Sequence, residues 1–245
     1  MRGELALLTG LIGFALLTMA VYRFSGEGRT GLGDVTGRGG SFVLGFWVRN
    51  WFYWFIRPVK RVSLGMRLSP LFFNLFAVAC GVASMAFFAR GQLPAAGWCI
   101  LLSGFADVMD GEIARSRDLV SSSGAFLDST LDRFSELAVF VGLAAFFQSG
   151  SMVLFVLVAL GGSLLVSYTR ARGEGLGITC KAGLMQRAER LLLLGFGAIL
   201  DPALSGALDK DPGFILRIII VVIATGTVAT AIYRTIWISR RLNEE

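Results

Sequence analysis

Residues 106–133 read ADVMDGEIARSRDLVSSSGAFLDSTLDR and join two long apolar runs. Asp107 and Asp110 stand at i and i+3, and Gly111, Ala114 and Arg115 follow at i+4, i+7 and i+8. On an α-helix that spacing puts all five residues on one face. Beyond a short Ser-rich turn, Gly124, Asp128 and Asp132 come at i, i+4 and i+8. Two antiparallel helices joined by this turn would gather four carboxylates at one end.

The rest of the chain says what kind of helices these are. Of 245 residues, 55% are hydrophobic and only 16% charged, with a mean hydropathy of +0.69. A soluble domain carries about a quarter charged residues. A spanning helix needs about 20 mostly apolar residues, and such runs occur near 4–22, 71–90, 94–115, 123–148, 151–170, 185–203 and 213–236. The fold class is therefore an all-α integral membrane protein: a six-helix transmembrane core, an interfacial juxtamembrane helix and an extra N-terminal transmembrane helix.

Residues 1–41 read as that anchor followed by a Gly-rich linker, 42–66 as an interfacial amphipathic helix and 67–245 as the six-helix membrane domain that carries the carboxylates. The linker contains Gly26-x-Gly28-x-x-Gly31. This matches a dinucleotide fingerprint by spacing, but no strand precedes it and no βαβ unit surrounds it. In 42–66, Trp47, Trp51, Trp54 and Phe55 recur at helical spacing among Arg49, Arg57, Lys60 and Arg61, as suits a helix lying at the membrane surface. Pro58 is expected to interrupt it.

Charge sets orientation. The net charge of +6 falls mostly in 57–67, 115–118, the loop 170–190 and the tail 234–241. The opposite loops hold Arg90 and Lys210 with Asp201, Asp209 and Asp211. By the positive-inside bias the basic segments are cytoplasmic, which leaves no call for a nucleic-acid partner. The expected location is the plasma membrane, multi-pass, with the carboxylates at the cytoplasmic face and the bilayer's anionic lipids as partners of the basic residues.

A carboxylate at the bilayer centre costs about 2.5–3.5 kcal/mol on insertion scales, so four at one membrane edge imply a use. Like charges this close cannot all stay ionised without cations. Oxygen-only ligands select hard divalent ions, Mg²⁺ first, with Mn²⁺ or Ca²⁺ also suited. The chain has no histidine, which excludes a His base, a His-ligated zinc and a Ser-His-Asp triad. Cys80, Cys99 and Cys180 are scattered and form neither a disulfide framework nor a metal knot. A cation transporter would also use intramembrane carboxylates, but near the midplane on broken helices.

The eight positions Asp107, Asp110, Gly111, Ala114, Arg115, Gly124, Asp128 and Asp132 span 26 residues and resemble the full signature of the CDP-alcohol phosphotransferases. The resemblance covers about 67–241. It implies a six-helix membrane fold, a homodimer, and transfer of a phosphatidyl-type group from a CDP-linked lipid to an alcohol with release of CMP. By resemblance, Asp107, Asp110, Asp128 and Asp132 hold Mg²⁺, and Asp132 also serves as general base on the acceptor hydroxyl. Asp107, Asp110, Gly111, Ala114, Arg115 and Gly124 line the CDP group. Upstream, Pro70 is followed by Leu71, and Asn74 stands where relatives often carry Thr, which adds Asn74 to the nucleotide set.

The segment 167–193, SYTRARGEGLGITCKAGLMQRAERLLL, forms a basic rim. It is similar to the matching stretch of prokaryotic phosphatidylinositol phosphate synthases and archaetidylinositol phosphate synthases. That likeness implies a phosphorylated polyol acceptor, inositol 1-phosphate, with Arg170, Arg187 and Arg234 on its phosphate, since guanidinium groups suit phosphate. Glycerol 3-phosphate is the main competing acceptor, followed by free inositol and serine.

Overall fold

A computed structural model describes residues 2–24, 46–148, 150–180 and 182–244. Those residues form helices and no strand: α1 Arg2–Phe24, α2 Phe46–Gly65, α3 Pro70–Ala89, α4 Leu93–Ser116, α5 Ser122–Phe147, α6 Gly150–Glu174, α7 Arg187–Ala207 and α8 Phe214–Leu242. They divide into two compact units, Met1–Arg67 and Leu68–Glu245. The Gly-rich linker, with its Gly26–Gly31 motif, and residues 42–45 lie outside the described residues.

In the first unit, α1 carries the apolar stretch Gly13–Phe24. Aromatic side chains join α1 to α2: Phe14 meets Phe55 edge-on at 6.1 Å, and Tyr22 meets Trp54 at 5.6 Å. Tyr22 and Ile56 are buried between them, while Arg57 and Arg61 are exposed. Pro58 does not end α2 but lies inside it. A proline removes one helical hydrogen bond, and the turns on either side hold the helix together.

In the second unit, the six helices pack as a closed ring in the order α3, α4, α7, α8, α6, α5 and back to α3. Five of them, α3, α4, α6, α7 and α8, are long and apolar enough to cross a membrane. The sixth, α5, is 26 residues long but carries Asp128, Asp132 and Arg133 in its first half and Glu136 just past its middle. The chain is a multi-pass membrane protein. Its core runs from Phe88 and Leu93 through Phe140 and Leu143 to Leu216 and Ile220.

Small residues let the helices that carry the site approach closely, as is usual where lipid tails compete with side chains. A Cβ at Gly142 would come 2.6 Å from the Met85 backbone of α3, and one at Gly97 would come 2.5 Å from the Gly195 carbonyl of α7. Beneath the carboxylates, Ser103 and Ser135 hydroxyls lie 3.1 Å apart and both reach the Ala77 carbonyl. Three helices are thereby fixed to one another.

The helix ends fall beyond several predicted limits. Helix α6 continues to Glu174, so Arg170 and Arg172 are helical rather than in a loop. Helix α7 continues to Ala207, which places Asp201 inside it. Asp201 is fully buried and accepts from the amides of Gly213 at 2.5 Å and Leu216 at 2.9 Å and from Ser205 Oγ at 3.3 Å. It thus satisfies amides at the start of α8 that have no partner within that helix. Gly213, at φ +97°, occupies a conformation that favours glycine.

Candidate active site

The connection between α4 and α5 is built for a tight return. Ser121 caps α5 by accepting the Gly124 amide at 3.1 Å. The two helices do not pack along each other but flank α3, and their carboxylates meet at this end of the ring. One oxygen each from Asp107, Asp110 and Asp128 lies within 4.8 Å of the others. Asp110 is 5% exposed, and the other two are half-buried. Three hard oxygen donors with no nitrogen or sulfur ligand fit Mg²⁺ or Mn²⁺.

Asn74, buried on α3, closes this group from the side. With its amide nitrogen turned to the carboxylates, the orientation that the surrounding acceptors require, it donates to Asp110 and, at 3.2 Å, to Asp128. The fourth signature carboxylate is engaged differently. Asp132 pairs with Arg187 at the start of α7, with Nη2 2.6 Å from Oδ1, and the same Nη2 is 4.0 Å from Asp107. The Arg187 side chain is 16% exposed, yet its Nε and Nη1 are buried without a hydrogen-bond partner. Two donors therefore remain open beside the carboxylates.

The remaining candidates lie around this centre. Arg115 is tied to Glu112 at 2.9 Å, and its guanidinium lies over Gly111, 3.1 Å from where a Cβ would stand. A larger residue at 111 would push that guanidinium away. Ala114 is half-buried on the same helix. Arg170 is exposed and pairs with Glu174 one turn on, at 2.9 Å. Arg234 is 2% exposed and donates to the Ala182 and Val166 carbonyls at 2.8 Å each. Both bonds go to backbone, so it ties the chain before α7 to α6.

A second layer of charge lies beneath, joining Arg190, which the sequence places only in the basic rim, to Glu136, which the sequence reading passed over. Glu136 lies one turn beyond Asp132 on α5, and Arg190 lies one turn beyond Arg187 on α7. Arg190 Nε donates to Glu136 Oε1 at 2.8 Å, with Nη2 2.6 Å from the same oxygen. Arg133 donates to Glu136 Oε2 at 3.2 Å and to Ser167 Oγ at 2.6 Å. The signal was present, since Glu136 extends Asp128 and Asp132 by the same i+4 step.

The sequence profile described as CDP-alcohol phosphatidyltransferase matches residues 67–228. An archaetidylinositol phosphate synthase from Methanothermobacter thermautotrophicus is 42% identical over 167 residues, which are 68% of this chain and 80% of that protein. A phosphatidylinositol phosphate synthase from Streptomyces avermitilis is 31% identical over 215 residues, 84% of this chain and 86% of that one. Among solved structures, the Mycobacterium tuberculosis phosphatidylinositol phosphate synthase with CDP-DAG bound matches with a TM-score of 0.65 at 28% identity. The match covers 74% of this chain and 92% of that one. The same enzyme in complex with manganese and citrate also matches at 0.65, covering 74% and 87%.

Proposed function

The chain belongs to the CDP-alcohol phosphatidyltransferase family, and we propose that it moves a phosphatidyl group from CDP-diacylglycerol, or a CDP-linked ether lipid, to inositol 1-phosphate. The products are CMP and phosphatidylinositol phosphate. One observation carries the reading. Three convergent carboxylates lie beside an arginine that pairs with a fourth and keeps two buried donors open.

Asp107, Asp110, Asp128 and Asp132 would hold Mg²⁺, or Mn²⁺, the ion present in the M. tuberculosis relative. An ion held there would supply charge neutralisation at the pyrophosphate and at the departing CMP. The chain's own groups do the rest. Asp132 accepts the proton of the acceptor hydroxyl, and that oxygen bonds to the lipid-bearing phosphorus as the bond to CMP breaks. Arg187 receives the acceptor's phosphate on its open donors, as a guanidinium suits, with Arg170 and Arg234 as further basic contacts. Gly111, Ala114, Arg115, Gly124 and Asn74 line the cytidine nucleotide.

This chemistry belongs to residues 67–245 as the catalytic membrane domain, working as a homodimer in the plasma membrane with the site at the cytoplasmic face. Residues 1–41 serve as anchor and linker, and 42–66 as an interfacial helix. The test is CMP release by purified protein supplied with CDP-diacylglycerol, Mg²⁺ and inositol 1-phosphate. Turnover with glycerol 3-phosphate in its place would keep the reaction class and reassign the acceptor.

A further inference from the structure

We propose that the Glu136–Arg190 pair is a positioning device for the acceptor half of the site, setting α5 against α7 and hence the reach between Asp132 and Arg187. The proposal rests on the reading of that half given above. Neither residue belongs to the eight-position signature, and Glu136 is absent from every candidate set drawn from the sequence.

The geometry is that of two stacked Arg–carboxylate pairs. Asp132 and Glu136 are four apart on α5, and Arg187 and Arg190 are three apart on α7, so each pair occupies one face. The outer pair, Asp132–Arg187, is half-open, with side-chain exposures of 13% and 16%. The inner pair is sealed, at 6% for Glu136 and 1% for Arg190. In the ring of helices, α5 neighbours α3 and α6, whereas α7 neighbours α4 and α8. The two helices thus face each other across the interior and not along a packed seam. Side chains spanning that gap, and not ridges and grooves, hold their register.

The inner pair is also braced on both sides. Arg190 Nη1 donates to the Met185 carbonyl at 3.1 Å, which fixes the chain two residues before Arg187. Glu136 Oε2 takes Arg133, whose other bond reaches Ser167 on α6. One carboxylate therefore coordinates α5, α6, α7 and the entry to α7. Stability alone does not account for it. Charges at membrane depth are costly, and apolar residues of similar volume replace a buried pair with little or no loss of stability. Orienting a neighbouring working group does account for it, because a reacting geometry shifted by 1 Å can cost about a hundredfold.

That argument supplies the experiment. Glu136→Leu combined with Arg190→Met removes both charges and keeps the volume, so the protein should remain folded. Wild-type turnover across inositol 1-phosphate and glycerol 3-phosphate is measured first and bears only on the acceptor assignment. The variant is then compared with wild type on whichever acceptor wild type uses. We expect the acceptor KM to rise at least tenfold, while the CDP-diacylglycerol KM stays within twofold and the thermal midpoint in detergent is retained. Arg190→Lys keeps a positive charge facing Glu136 but loses the Nε bond to it and the Met185 bond, and it covers the case where the double variant does not fold. Its acceptor KM should rise severalfold with the donor KM unchanged. Acceptor KM values within twofold of wild type, or acceptor and donor KM rising together, would overturn the proposal.

Discussion

Asp132 and Arg187 share one short contact, 2.6 Å between Oδ1 and Nη2, so substituting either changes the surroundings of the other. Asp132→Asn keeps shape and removes the proton acceptor. CDP-lipid binding should be nearly unchanged and CMP release should fall by about 10²–10⁴-fold, read by binding titration against turnover. Arg187→Ala should mainly raise the acceptor KM, by tenfold or more, since a charge-assisted bond to a charged group contributes about 1.5–3 kcal/mol. Loss of donor binding in both variants would contradict these roles. At this scale the signature carboxylates were legible, because helical spacing alone puts Asp107 with Asp110 and Asp128 with Asp132. The company of Arg187 and Arg234 was not. Arg187 starts a helix 55 residues after Asp132 in the chain, and Arg234 bonds to carbonyls of two other segments. Only the closed ring of helices brings such partners together.

Element by element, apolar run length located every helix of the six-helix unit, since about 20 apolar residues is what a bilayer demands. The ends were less legible. Arg170 and Arg172 read as loop charge, yet arginine is a good helix former, and α6 carries both past the apolar stretch to Glu174. Asp201 read as a loop residue, grouped with Asp209 and Asp211. Its partners, the amides of Gly213 and Leu216, lie beyond a turn that periodicity does not place. Since Asp201→Ala would leave those buried amides unsatisfied, it should cost about 1–3 kcal/mol. A lower thermal midpoint in detergent, with KM values for both substrates unchanged below the transition, is the expected result.

For the whole molecule, the ring gathers the signature carboxylates and their arginines at one end of the bundle. Asp107, Asp110 and Asp128 converge, and carboxylates this close do not all stay ionised without a bound cation. Chelation with EDTA should therefore abolish turnover, and adding Mg²⁺ or Mn²⁺ should restore it, while Ca²⁺, with its looser coordination and longer bonds, should restore less. The opposite pattern, full activity in EDTA, would remove the carboxylate cluster from the chemistry. The central claim is that an acceptor phosphate is read by Arg187 beside this cluster. The most direct test is CMP release from CDP-diacylglycerol and Mg²⁺ across inositol 1-phosphate, glycerol 3-phosphate, free inositol and serine, with Asp132→Asn as the blank. Release with inositol 1-phosphate and not with free inositol is the predicted result, and equal release with both would contradict it.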